Sequence, residues 1–147
     1  DRGLIEFELT ETILLDDPQG VRQLIDRMHE AGFGCSLDDF GSGYSSLGML
    51  NQLNVDAIKL DRRFFSDMDN PKLEGLLSSL VELGHKLKVR IVAEGIENQR
   101  QVDLLRRVGC DMIQGYFYSR PLAVSQFEEW LKERGEWETP AQPQAKT

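Results

Sequence analysis

Leu37-Asp38-Asp39-Phe40-Gly41-Ser42-Gly43-Tyr44-Ser45-Ser46-Leu47 is the stretch on which the reading of the fold turns. An apolar run reaches two adjacent carboxylates, then passes two glycines into a hydroxyl-rich segment. Successive residues of a strand point to opposite faces, so Asp38 and Asp39 can act on one centre only near the strand's end, where the chain starts to turn. Gly41 and Gly43 admit positive φ and a close approach of backbone to a ligand. Adjacent acidic oxygens beside such a turn suit hard divalent cations. The same residues also read as an Asp-Gly turn with solvated carboxylates.

Working outward, the runs on either side alternate between strand and helix patterns. Leu4 to Leu9 is a short β-prone run, and Asp16, Asp17 and Pro18 mark a helix start. Val21, Leu24, Ile25 and Met28 carry helical spacing up to Gly32 and Gly34. Cys35 to Phe40 is the second strand. After the glycines, Leu47, Leu50 and Leu53 suggest a short helix, and Val55 to Asp61 a third strand. Pro71 opens a helix with an apolar face through Leu73, Leu76, Leu77, Leu80 and Leu83. Val89 to Ala93 is a fourth strand running into Glu94-Gly95-Ile96-Glu97. A helix carrying Val102, Leu105 and Val108 closes at Gly109, Met112 to Tyr116 makes a fifth strand, and Phe127 to Leu131 lies in the last helix. Residues 1–135 form the folded part in this reading. Residues 136–147, rich in Pro, Gln and Ala, are expected to be a disordered tail.

About five strand–helix alternations imply parallel strands joined by helical crossovers, in an open sheet or a barrel. Polar residues recur at the strand ends: Glu8, Asp38 and Asp39, Lys59, Glu94 and Gln114. In a (β/α)₈ barrel such ends converge on the face where active sites lie. The length of 147 residues and an apolar content of 40% suit one domain or part of one. There is no apolar run long enough to span a membrane and no signal-like opening segment. Cys35 and Cys110 lack a CxxC neighbour and read as buried thiols in a reducing, cytoplasmic compartment. A net charge of −8 argues against DNA or RNA as partners. It leaves room for a phosphate substrate, because bound cations reverse the local field.

The ordered set Glu8-Leu9-Thr10-Glu11, Asp38 through Leu47, Ile58-Lys59-Leu60-Asp61, Val92-Ala93-Glu94-Gly95-Ile96-Glu97 and Gln114-Gly115-Tyr116-Phe117-Tyr118-Ser119-Arg120-Pro121 resembles the EAL domain family. That family comprises bacterial modules that hydrolyse cyclic di-GMP. The resemblance runs from near residue 4 to Leu131, with Ser42 and Ile96 as mild departures. It implies a TIM-like (β/α)₈ barrel of which this chain supplies roughly the last five β/α units. The family domain extends further on its N-terminal side, where the Glu-Ala-Leu motif and an Asn-containing strand supply two more metal ligands.

By that resemblance, Glu8, Asp38, Asp39 and Glu94 are ligands of two Mg²⁺ or Mn²⁺ ions, with Asp38 bridging. Two-metal phosphodiester chemistry holds its ions roughly 3.5–4 Å apart. In-line attack by a cation-activated water would open cyclic di-GMP to linear pGpG. Lys59 and Glu94 carry the catalytic assignment, with Lys59 as proton acceptor or electrostatic clamp. Gln114, Glu97, Tyr44 and Arg120 are assigned to substrate binding, and Glu11, Gly41 and Gly43 to the glycine loop. The segment from Gly43 to Gln52 would form a homodimer contact, and sensory or diguanylate cyclase-type domains would precede this one in a parent protein, itself cytoplasmic or membrane-attached.

Plainer readings stand beside these. Lys59 also fits a barrel-interior lysine paired to a carboxylate for stability. Glu11 and Glu97 fit helix-start carboxylates, and Asp61 a structural role at a strand–helix junction. His29 and His85, near helix ends, read as surface or capping residues. Tyr44, Tyr116, Phe117 and Tyr118 could stack on guanine or belong to the core. Two further functions remain open: a cyclic di-GMP receptor that does not cleave, and a fragment that is inactive by itself because two ligands lie elsewhere.

Overall fold

The computed structural model of the chain describes residues 1–10, 12–13, 17–41 and 53–135. Its strands are β1 (Glu6–Thr10), β2 (Gly34–Phe40), β3 (Ala57–Leu60), β4 (Arg90–Ala93) and β5 (Met112–Ile113). Among the described residues they form one parallel sheet in the order β1-β2-β3-β4-β5. Each strand lies beside its neighbour in sequence, and the order never reverses. A doubly wound sheet reverses at a switch point; steady progression is how a (β/α) barrel wall is built.

Register sorts the side chains. Parallel partners share a face, and Leu9, Leu37, Ile58 and Ile91 fall in one row. All four are buried. The helices are α1 (Pro18–Glu30), α2 (Leu73–Leu87), α3 (Gln99–Arg107) and α4 (Val124–Glu133). Val21 and Ile25 of α1, Leu77 and Val81 of α2, and Val102 and Leu105 of α3 join the row in one core cluster. The next row, on the opposite face, is Glu8, Ser36, Ala57 and Arg90. The sheet therefore has an apolar side under helices and a polar side, as a barrel wall has an outside and an inside.

Local signals explain the helix ends. Asp17 caps α1 by accepting from Gly20 N at 2.9 Å, with Pro18 in the first turn. Asn98 and Gln101 form a reciprocal capping box on α3. Several boundaries and faces differ from the sequence reading. Leu4 belongs to a 3₁₀ turn, Arg2–Leu4, and β1 begins at Glu6. The buried line of α2 is Leu73, Leu77, Val81 and Gly84, whereas Leu76 is half exposed; steps of three and four keep those positions over the sheet, and Leu76 turns off that line. β5 stops at Ile113 rather than Tyr116, because the chain turns at Gly115 and Tyr118 N bonds back to Gly115 O at 3.1 Å. Cys35 is buried as expected, but Cys110 is only partly so, and both are free thiols. The expected helix at Leu47 and Leu50, the tail 136–147 and the dimer segment from Gly43 to Gln52 lie outside the described residues.

The N-terminal rim of the sheet is fastened twice by one device. Asp56 accepts from Cys35 N at 2.8 Å and pairs with His29 Nε2 at 2.9 Å. Asp111 accepts from Ile91 N at 2.7 Å and pairs with His85 Nε2 at 2.9 Å. In each case the aspartate just before one strand holds both the preceding strand and the helix that leads into it. The two histidines thus bind helix ends to the sheet, at the rim opposite the acidic strand ends.

Candidate functional site

The site is built where the strands finish. In β2 the register slips: Leu37 partners Ile58 and Phe40 partners Leu60, so β2 carries one residue more than β3. Asp39 takes up this bulge at φ +57°. Asp38 stays on the face of Ser36 and meets Lys59 of β3, with Asp38 Oδ1 3.7 Å from Lys59 Nζ. Asp39 takes no part in the Lys59 pairs, and its charge instead supports Arg63. The turn thus comes at Asp39 itself, two residues before Gly41 at φ +88°. A side chain at Gly41 would collide with the Phe64 ring, 2.2 Å from Cε2.

Lys59 lies at the centre. It is buried, and its ammonium donates to Glu8 of β1. It also pairs with Glu94 Oε1, just past β4, at 2.8 Å. Four charged side chains from four successive strands thus meet at one end of the sheet. Burial by itself would lower the Lys59 pKa, but the hydrogen bonds to Glu8 and Glu94 outweigh it and hold the ammonium above its ordinary value. Burial raises the Glu94 carboxyl, with the charges of Asp38 and Glu8 adding to it, in spite of the lowering by Lys59. One ammonium among three carboxylates leaves the group short of positive charge.

Beside this group opens a cleft of about 320 Å³, lined by Arg62, Glu94, Glu97, Gln114 and Tyr116 among others. Gly95, at φ +65°, lets the Arg62 stem pass, since a Cβ there would lie 2.6 Å from Arg62 Cβ. Gly115 packs on the backbone of Ile96. Arg120 lies 4.4 Å over the Tyr116 ring in an adjoining cleft. Asp61 has the structural role expected: it caps the 3₁₀ turn Arg62–Phe65 and accepts from Arg63 N and Nε. Glu97 is exposed, and its backbone N–H donates to Gln101 Oε1 of the α3 cap.

The structure therefore gathers Glu8, Asp38, Lys59 and Glu94, sets Glu97 and Gln114 in the cleft that Glu94 shares, and keeps Asp39 apart. Glu11, Gly43 and Tyr44 lie outside the described residues. Sequence reasoning passed over Arg62 and Ser36. Arg62 follows the Asp61 cap at the end of β3, a signal that was available. Ser36 Oγ is buried with no hydrogen-bond partner among the described residues, and only register brings it beside Glu8.

Carboxylate oxygens without His or Cys are the donor set of Mg²⁺ and Mn²⁺. Asp38 Oδ1 is buried and accepts no hydrogen bond among the described residues, which fits an acceptor shaped for a cation. As they stand, the described His, Cys, Asp and Glu residues form no group of three placed to hold a metal; the acids are drawn onto Lys59.

A stepwise parallel sheet with acids from successive strands gathered at one rim is the wall of a (β/α)-barrel protein with a carboxylate-lined mouth. Residues 1–121 match the EAL domain family, and the chain belongs to it. It is 38% identical over 129 residues to cyclic di-GMP phosphodiesterase NbdA of Pseudomonas aeruginosa, covering 87% of this chain and 16% of that protein. The solved PaMucR phosphodiesterase in complex with c-di-GMP superposes with TM-score 0.78 at 34% identity, over 86% of this chain and 51% of that one. Klebsiella pneumoniae BlrP1 in its manganese and cyclic di-GMP complex superposes with TM-score 0.73 at 32% identity, over 79% and 30%. The chain thus spans about a sixth of the first curated relatives it matches and about half of the PaMucR chain. It represents part of a TIM-like EAL barrel. No helix among the described residues is long and apolar enough to cross a membrane.

Proposed function

We propose that this chain is the catalytic C-terminal portion of a cyclic di-GMP phosphodiesterase that opens one phosphodiester to give linear pGpG. The observation that carries the reading is the meeting of Glu8, Asp38, Lys59 and Glu94, from four strands, with one ammonium for three carboxylates. Glu8, Asp38 and Glu94 would hold two divalent ions, with Asp39, which the bulge keeps apart from the Lys59 pairs, as the further ligand that the family resemblance assigns. Those ions supply an activated water and neutralise charge on the phosphoryl oxygens. Lys59, paired with Glu8 and Glu94 at the same strand ends, would act there as proton acceptor or as electrostatic clamp on phosphate. The exposed Gln114, Glu97 and Arg120 border the clefts in which the nucleotide would lie.

The names of the relatives support cyclic di-GMP as ligand. The small share of their length matched here supports further domains in the parent protein. The two free thiols fit a cytoplasmic setting. Self-association through residues 43–52 completes the proposal. The test is turnover in an intact EAL domain carrying this sequence. With Mg²⁺ or Mn²⁺, Asp38→Asn and Glu94→Gln should each abolish pGpG formation while cyclic di-GMP binding persists. Unchanged turnover in the variants would refute the assignment of these acids to the reaction, and binding without turnover by the parent would refute the hydrolase reading and establish a receptor instead.

A further inference from the structure

We propose that Lys59 is a tethered counter-ion that competes with divalent cations for the acidic cluster. The inference rests on the proposed function only in taking the cluster as a cation site. Lys59 is buried and makes its two closest contacts to Glu8 and Glu94. Asp38 Oδ1, 3.7 Å away, is left without a hydrogen bond among the described residues. The carboxylates are therefore gathered around an ammonium, not spread around a vacant centre.

Three carboxylates brought together with no positive charge repel one another, and a buried acid in that position either protonates or pushes its neighbours apart. The ammonium removes that difficulty and keeps the strand ends assembled. The same contact sets a cost on metal entry. A divalent ion engaging Glu8 and Glu94 would lie close to the ammonium that holds Glu8 Oε1 and Glu94 Oε1, and the two cations would repel each other. Lys59 would then give up part of its hold on the acids. One residue would thereby keep the cluster closed without metal and loosen from it when metal binds. A lysine standing clear of the acids would change cation affinity far less and would give an ammonium signal indifferent to the metal.

The experiment compares wild type with Lys59→Met, which keeps the length and removes the charge, in an intact EAL domain carrying this sequence. Mn²⁺ binding is followed by calorimetry without nucleotide, with Asp38→Asn as the control that weakens it. Lys59→Met should bind Mn²⁺ at least tenfold more tightly and show a larger rise in Tm on Mn²⁺ addition. In wild type, which requires no variant to fold, the Lys59 ammonium should give a protected ¹⁵N–¹H signal that shifts or is lost at saturating Mg²⁺. Equal or weaker Mn²⁺ binding by Lys59→Met, or an ammonium signal indifferent to Mg²⁺, overturns this inference and leaves the hydrolase reading intact. Absence of Mn²⁺ binding in both proteins overturns the two together.

Discussion

Replacing Gly115 by Ala probes how the two strand ends that carry Glu94 and Gln114 are held together. A Cβ at residue 115 would lie 2.1 Å from Ile96 O and 2.3 Å from Ile96 N, both backbone atoms. No rotamer change relieves a clash with backbone, so the turn Glu94–Glu97 must retreat from β5 by about 1 Å to restore van der Waals contact. Two hydrogen bonds join these segments, Ile96 N to Gln114 O at 3.2 Å and Phe117 N to Ile96 O at 2.9 Å. Overpacking costs about 1–3 kcal/mol, and each buried group left unpaired costs about 1–3 kcal/mol more. A total of about 3–5 kcal/mol is a large part of the 5–15 kcal/mol that typically holds a domain. The expected result is a fall in Tm of about 10 °C or more, with loss of amide protection at Ile96 and Phe117 and weakened turnover. Gly75→Ala is the control: nothing lies within 4 Å of its Cβ in α2, and helix propensity should stabilise the protein by up to about 1 kcal/mol. A change in Tm below 1 °C for Gly115→Ala would refute the claimed contact.

Two further outcomes follow from the core and the N-terminal rim. Asp111→Ala removes the acceptor of Ile91 N and the partner of His85, and should cost about 1–3 kcal/mol in denaturant unfolding; adding His85→Ala should cost little more, and full additivity would show the two act separately. Stability should also decline at alkaline pH. Burial pushes the Cys35 thiol up to about 11 from its ordinary 9.0, so the unfolded thiolate opposes folding progressively between those values. The Lys59 pairs stabilise fully below the ordinary lysine value of 10.5 and are lost as pH rises through the higher folded value. Cys35→Ala should flatten the fall in Tm between pH 9 and 11, and an unaltered slope would count against the buried-thiol account.

The succession of strands and helices was legible because apolar spacing and end signals are local. Asp17 with Pro18 and Gly109 mark boundaries by their own backbone chemistry. The acids were legible for the same reason: Asp38 and Glu94 each close an apolar run, and Glu8 lies within a short β-prone one. Boundaries were less so at β5, which ends at Ile113 because the chain turns at Gly115, a residue packed on Ile96 from a distant part of the sequence.

The order of residues alone sets which side chains carry charge near the strand ends, and it holds the ordered motifs by which the EAL family is recognised. How those charges are shared depends on the fold. Pairing register places Glu8, Lys59 and Glu94 on one rim, and a bulge separates Asp38 from Asp39. No residue's own preferences encode register between strands, which arises from hydrogen bonding and packing across the sheet. For that reason the family resemblance could name the acids as expected ligands and a carboxylate partner for Lys59 could be anticipated, while the fold was needed to show that Lys59 stands among three of them.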